Sequence, residues 1–385
     1  MGQGGQVVGW RVLLVATVAV LLAGCGDGSS ALVPTATATS TATATASRTP
    51  TSSPSPTATS SATPTSTPTA TATPLDPEAS GPFAVGSTTI SFVRPSSTTG
   101  EPRQLTTAIW YPAPAGTSGK MVAGGVENAP LAGGGPFPLL VFSHGSCSLP
   151  QQSTFLTARL ASHGFVVAAP PHPGNTIFDG PSPERCLLPG PLLADTFFNR
   201  ADDVVFTIDQ MLALSAGTSG ALVGALDGER IGVLGHSFGA QTVLRVPAAD
   251  PRVDAVLSLA PAAVSLVTPQ IDQIAVPTMI QGAELDSLAA FESNSVVAYE
   301  HLRRPRYLVE LLNTGHFAFA NGCLAPTGTT YPDCAPGTLP QAEANTLVIR
   351  FAIPFLGLHV GGNPHWAAWL EPDSAPPGVN YIADP

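Results

Sequence analysis

The stretch Ile231-Gly232-Val233-Leu234-Gly235-His236-Ser237-Phe238-Gly239-Ala240 decides how the rest of the chain is read. An apolar run stops abruptly at Gly-His-Ser-Phe-Gly, a G-x-S-x-G pattern. That pattern suits a buried strand that turns at once into a helix, with the serine at the turn. The turning residue must hold a strained backbone conformation, and bulk two positions to either side would block it. Gly235 and Gly239 remove that bulk. Ser237 is left with its hydroxyl outward, and a helix starting at Phe238 aims its N-terminal amides and dipole at the same point. With 38 glycines in the chain, the pattern alone carries little weight. The apolar strand before it and the helix-compatible Ala240-Gln241-Thr242-Val243-Leu244 after it supply the context it needs.

Working outward, residues 83–93 and 104–111 alternate in the β manner around a turn-rich 95–102, predicting an antiparallel pair. A Gly/Pro/Ala-rich loop is expected over 112–136. Residues 137–145 and 164–170 read as buried strands, with a helix over 154–162 between them. Helical spacing follows over 197–214 and 238–245. Strands are expected at 253–260, 276–281 and 306–312, and a closing helix at 341–355. Strands alternating with helices predict an α/β fold: a mostly parallel central sheet with helices on both faces. Functional loops then belong at the C-terminal ends of the strands.

A serine hydroxyl needs a base, a group that orients the base, and donors for an oxyanion. In a fold of this kind the order along the chain is Ser, acid, His. His316, in Gly315-His316-Phe317 just past the last strand, stands on the serine's edge of the sheet and is the candidate base. His301 falls on the opposite edge, His144 and His163 precede the serine, and His359 and His365 lie beyond the closing helix. His236, next to Ser237, points its side chain away from it. The acid is expected in the loop after 276–281, where Glu284 and Asp286 both qualify. Asp286 is preferred, with Glu284 as a supporting carboxylate, while Asp254 starts its strand at the far edge. The oxyanion donors are expected to be the amides of Phe238 and of Ser146, which follows the strand ending Ser143-His144-Gly145. Cys147, His236, Ala262 and Phe317 are the candidate pocket residues. The chemistry needs no metal or organic cofactor.

The N-terminal region reads differently. Residues 1–25 form an export signal in which Arg11 precedes an apolar run too short to span a bilayer. The run ends in Leu22-Ala23-Gly24-Cys25, which resembles a bacterial lipobox and makes Cys25 a lipidation site. Residues 26–77 are almost entirely Thr, Ala, Ser and Pro, and they inflate the chain's 40 prolines. They lack the apolar surface to offset their ordering entropy and read as a disordered stalk reaching at most ~150 Å. The folded part is 78–385. The expectation is an exported, membrane-anchored lipoprotein at the outer membrane or cell surface, and a monomer.

Two of the 26 acidic and two of the 15 basic residues precede residue 78, so the folded part keeps the whole net charge of −11. That balance argues against a nucleic-acid partner. Apart from Cys25, four cysteines remain, and proximity favours Cys147–Cys186 and Cys323–Cys334. In the chain-entropy model these bridges contribute ~4 and ~3 kcal/mol.

With these motifs in place, the chain resembles the α/β-hydrolases, and within them the platelet-activating-factor acetylhydrolase-like lipases and the cutinase-like polyester hydrolases. Residues 83–355 carry the resemblance. The matching segments are Phe142-Ser143-His144-Gly145, Leu160-Ala161-Ser162-His163-Gly164-Phe165-Val166-Val167, Arg200-Ala201-Asp202-Asp203-Val204, Gly235-His236-Ser237-Phe238-Gly239, Gly282-Ala283-Glu284-Leu285-Asp286-Ser287 and Gly315-His316-Phe317. The resemblance implies an α/β-hydrolase fold, hydrolysis of a carboxylic ester through an acyl-enzyme, and Asp286 as the acid. Its substrates would be a lipid or small ester, a polyester or a dienelactone. Two places depart from the polyester hydrolases: Ser146 stands where they have an aromatic, and Ala262 or Ala263 where they have a tryptophan. The rival classes are a non-catalytic surface-binding protein on the same fold and a cell-wall structural protein. The ordered triad argues against the first, and the long, apolar, patterned domain against the second.

Overall fold

The structure is a computed structural model that describes residues 76–179, 191–322, 333 and 337–385, with the side chains of 191–194 left aside. The chain divides near residue 70, and the fold is that of the unit Thr71–Pro385. The expected signal and Cys25, nearly all of the stalk, and Cys186, Cys323 and Cys334 lie outside the described residues.

The strands are β1 (Ala84–Pro95), β2 (Pro102–Ala113), β3 (Met121–Val122), β4 (Gly125–Glu127), β5 (Phe137–Ser143), β6 (Val166–Ala169), β7 (Leu226–His236), β8 (Val253–Leu259), β9 (Thr278–Ala283), β10 (Arg306–Leu311) and β11 (Val379–Asp384). They form one sheet in the order β11-β10-β9-β8-β7-β5-β6-β2-β1-β4-β3. The six strands from β10 to β6 run parallel. The leading pair β1–β2 is antiparallel, as its alternation predicts.

The helices are α1 (Thr154–Ser162), α2 (Pro191–Ala216), α3 (Phe238–Val243), α4 (Val246–Ala249), α5 (Thr268–Ile271), α6 (Val297–His301) and α7 (Gln341–His359). They cover both faces, and the period of two in the strands decides which residue meets which helix. Leu139 and Val141 of β5 face one core with Val204, Ile208 and Met211 of α2. Leu140 and Phe142 face the other, with Leu156 and Leu160 of α1 and Phe351, Phe355 and Leu356 of α7. Each of these fully buried side chains contributes about 1.5–3 kcal/mol. Gly232 is held small by the second core, since a Cβ there would lie 2.7 Å from Leu140 and 2.9 Å from Val360.

Four expectations need correction. The loop over 112–136 contains the short hairpin β3–β4, whose second strand extends the sheet beside β1. Helix α2 starts six residues earlier than its apolar spacing suggests. The helix after the elbow breaks at Leu244 and resumes as α4. The chain does not close with α7: two 3₁₀ turns lead to β11, which pairs antiparallel with β10. Its alternating exposure reflects an edge strand, a weak sequence signal. Among the described residues no helix is long and apolar enough to cross a membrane.

Candidate active site

Strand β7 enters the turn at His236, and Ser237 holds φ 58°, ψ −119° before α3 begins. For a non-glycine residue this is strained backbone, and it persists because both peptide groups are fixed. The Ser237 amide donates to Leu259 O at 2.9 Å, and its carbonyl accepts from Gln241 N at 3.1 Å and Ala262 N at 3.3 Å. The two motif glycines act as expected. A Cβ on Gly239 would fall 1.9 Å from Ser143 O, and one on Gly235 would fall 2.4 Å from Gly239 O. Five of the seven non-glycine residues with positive φ among the described residues are Cys147, Ser237, Ala260, Ala263 and Asn313. All five follow strands β5, β7, β8 or β10, so backbone strain is concentrated where the sheet's functional loops lie.

The loop after β9 brings Asp286, and the loop after β10 brings His316. His316 Nδ1 lies 2.7 Å from Asp286 Oδ2, with both side chains buried. The other carboxylate oxygen accepts from Leu288 N at 2.9 Å and Ala289 N at 2.6 Å. Asp286 therefore caps its own loop and orients the imidazole at once. The His316 ring packs 4.6 Å from that of His236, the neighbour of Ser237 in the chain. Acid, imidazole and serine thus gather at one edge of the sheet.

Glu284 supports the histidine loop from its outer side, where it accepts the Asn313 amide at 2.8 Å. The carboxylate beside the pair is Asp333, which sequence reasoning did not single out. Asp333 is buried, accepts from Ser287 N at 3.2 Å and His316 N at 3.3 Å, and takes the Ser287 hydroxyl. It joins the acid loop to the histidine loop. No local sequence signal marks it, because its partners come from two distant strands.

The oxyanion loop leaves β5 at Ser143. Gly145 lies against the nucleophile, since a Cβ on it would be 3.3 Å from Ser237 Cβ. Its amide is occupied by Gln152 Oε1 at 2.7 Å. The amides of Ser146 and Phe238 have no acceptor among the described residues, as oxyanion donors require. The Ser146 hydroxyl accepts from Asn175 Nδ2 at 3.0 Å. Of the candidate pocket residues, Ala262 and Phe317 are half-buried beside the serine and the imidazole. Cys147 is half-buried and disulfide-bonded. His236 is buried and engaged at both nitrogens, so it belongs to the floor of the site and not to a pocket wall.

Behind this loop lies a buried ionic network that the sequence reading matched to a motif without giving it a role. Fully buried Arg200 donates to Ser143 Oγ at 3.2 Å, Asn175 Oδ1 at 2.8 Å and Thr242 Oγ1 at 3.1 Å, and also to His144 O. Its guanidinium lies 4.8 Å from the Phe238 ring centroid. Burial lowers Arg200 to about 9, which leaves it cationic at neutral pH. Asp203, one turn further along α2, binds Arg94 at 2.8 Å, Arg103 at 2.7 Å and His172 Nδ1 at 3.0 Å. His172 Nε2 in turn meets Ser143 Oγ at 2.9 Å. Burial, reinforced by the nearby Arg200, holds His144 and His172 well below the usual imidazole range.

A strained serine between two glycines, an aspartate-bound imidazole and two amides without an acceptor among the described residues, set on the C-terminal edge of a parallel sheet, define an α/β-hydrolase. Such an arrangement can attack a carbonyl, hold the resulting oxyanion and pass a proton to a leaving group. The chain belongs to the PET hydrolase-like family, whose model matches residues 58–328. It is 30% identical over 181 residues to cutinase est1 of Thermobifida alba, covering 46% of this chain and 53% of that one. It is 24% identical to the bis(hydroxyethyl) terephthalate hydrolase of Streptomyces coelicolor, over 62% of each chain. It is 22% identical to the platelet-activating factor acetylhydrolase of Cavia porcellus, over 76% of this chain and 80% of that one. The chain thus spans about half the length of the Thermobifida alba cutinases it matches. Among solved structures, a ferulic acid esterase from Streptomyces cinnamoneus shares the fold, with TM-score 0.63 and 22% identity over 81% of this chain and 98% of that one.

Proposed function

We propose that this protein is a serine hydrolase of carboxylic esters. The observation that carries the reading is the 2.7 Å bond between His316 and Asp286, placed beside a serine in the strained conformation of a nucleophile elbow. His316 takes the Ser237 proton as the serine oxygen attacks the acyl carbon. The oxyanion rests on the amides of Ser146 and Phe238. Asp286 keeps the His316 proton on Nδ1, so that Nε2 is free to accept and then to donate to the departing alcohol. Water, activated by the same imidazole, releases the acyl group and restores the serine.

The finer reading is an acetylhydrolase-like lipase or esterase acting on a lipid or small ester, exported and held at the membrane through Cys25. Ser146 in place of an aromatic supports a small or flexible acyl group. A second reading, a polyester hydrolase, is favoured by the family and by the names of its cutinase and terephthalate hydrolase relatives. Exposed Leu285 and Leu288, on either side of Asp286 in the loop after β9, offer apolar surface beside the acid in either case.

Ser237→Ala tests the shared core: it should abolish turnover of a short-chain p-nitrophenyl ester and labelling by a fluorophosphonate. Undiminished turnover would end the proposal. A panel of acyl lengths, with a phospholipid and a polyester film, separates the two finer readings. Palmitate labelling that disappears in Cys25→Ala checks the anchor.

A further inference from the structure

One buried side chain of the site has no part in the steps above. His236 is 3% exposed, and its two ring nitrogens face different loops. Nδ1 meets Gln152 Nε2, and Nε2 lies 3.0 Å from His316 O. The orientation of the Gln152 amide is fixed from its other end, because Oε1 takes the Gly145 N–H at 2.7 Å. Its NH₂ group is therefore the end that reaches His236, and an NH₂ can only donate. Nδ1 must accept. A neutral imidazole that accepts at Nδ1 carries its proton on Nε2, where the His316 carbonyl stands ready to take it. Burial, and then the neighbouring His316, hold His236 well below the usual imidazole range, which keeps it neutral.

Each group in this chain has one role, and all the roles agree. The two ends of the chain matter. One is Gly145, whose Cα lies against Ser237 and whose neighbour Ser146 offers an oxyanion amide. The other is the backbone of the imidazole that serves Ser237. We infer that Gln152 and His236 form a clasp that sets the spacing between the oxyanion loop and the general base, making both of them positioning residues; the inference rests on the ester-hydrolase reading above. A clasp acts where both ends are needed together, in the transition state. It should therefore govern kcat and leave substrate binding largely alone.

The test uses Gln152→Met, His236→Phe and the double variant in the full chain, with steady-state kinetics on a soluble p-nitrophenyl ester and thermal unfolding alongside. Each single change should lower kcat by about 10- to 100-fold with KM within about threefold. The double variant should be no worse than the poorer single, because either change opens the same clasp. Gln152→Glu is the isosteric second variant, for use if the methionine disturbs folding. Glutamate keeps an acceptor for Gly145 but cannot donate to Nδ1, so a neutral His236 would set its Nε2 lone pair against the His316 carbonyl. There kcat should fall to a similar degree at high pH and recover relative to the parent as the pH drops, where the doubly protonated ring bonds both ends. Singles that keep kcat within threefold, or losses that multiply in the double variant, overturn the clasp. If Ser237→Ala is inactive in that same set, the hydrolase reading survives. A fully active Ser237→Ala protein removes the reading itself.

Discussion

Gly239→Ala is the sharpest perturbation of the site, because its consequence follows from distances. The added methyl would sit 1.9 Å from Ser143 O, 2.5 Å from Ser143 C and 2.6 Å from His144 O. All three are backbone atoms, so no side chain can swing aside. Relief needs α3 and the oxyanion loop to part by more than 1 Å, from 1.9 Å to beyond the 3.0 Å that real contacts respect. Overpacking of this kind costs about 1–3 kcal/mol of stability. The functional effect should be larger, because the moving parts carry the Phe238 and Ser146 amides. Losing one oxyanion donor costs about 3–4 kcal/mol of transition-state stabilisation, or 10²- to 10³-fold in kcat. The assay is kcat and KM on a short-chain p-nitrophenyl ester, with urea unfolding in parallel. Gly133→Ala is the control, because a Cβ at Gly133 meets nothing within 4 Å. The expected result is a loss of at least about 100-fold in kcat with a still-folded protein. A Gly239→Ala enzyme within threefold of the parent would refute the reasoning, since the oxyanion amides could not then depend on this close approach.

Three further outcomes are expected. Arg200→Met removes the buried donor to His144 O, Asn175 Oδ1, Ser143 Oγ and Thr242 Oγ1 and should destabilise the fold by roughly 3–5 kcal/mol, read from the urea midpoint. Stability should fall as the pH drops below about 6.5, because His144, His172 and His236 are held neutral in the fold but take protons freely in the unfolded chain. Each can contribute on the order of 1 kcal/mol per pH unit until its own depressed value is reached, and urea midpoints from pH 8 to pH 5 test this. Asp333→Asn keeps an acceptor for the Ser287 and His316 amides but loses its charge, so it should lower kcat less than Asp333→Ala does; equal losses would show that the charge, and not the tie between loops, is what counts.

Much of the site was legible in order and type. The elbow announced itself because a strained turn admits only glycine around the serine, and a steric requirement of that kind is local. The acid and base could be placed by counting strands, since parallel strands deliver successive loops to one edge. Helix α1 and the β1–β2 pair were visible for the same reason, as their periodicity lies within one segment. What Glu284 supports was not legible, because its partner, the Asn313 amide, lies on the loop after the next strand. Arg200 and Asp203 were visible as residues but not as a network, because their partners lie on β1, β2, β5 and the loops after β5 and β6.

What the sequence determined alone is the chemistry on offer: a serine, an aspartate and a histidine in the order an α/β sheet needs, on a frame of alternating apolar runs. What the tertiary structure decided is which polar groups face each other once water has been removed. Only there does Asp333 join two loops, Glu284 turn away to Asn313, and His236 acquire a fixed proton between Gln152 and His316. Burial is the physical reason. A group in water can pair with anything, whereas a group in the core must find a particular partner, and that partner is set by the packing of distant segments and not by its neighbours in the chain.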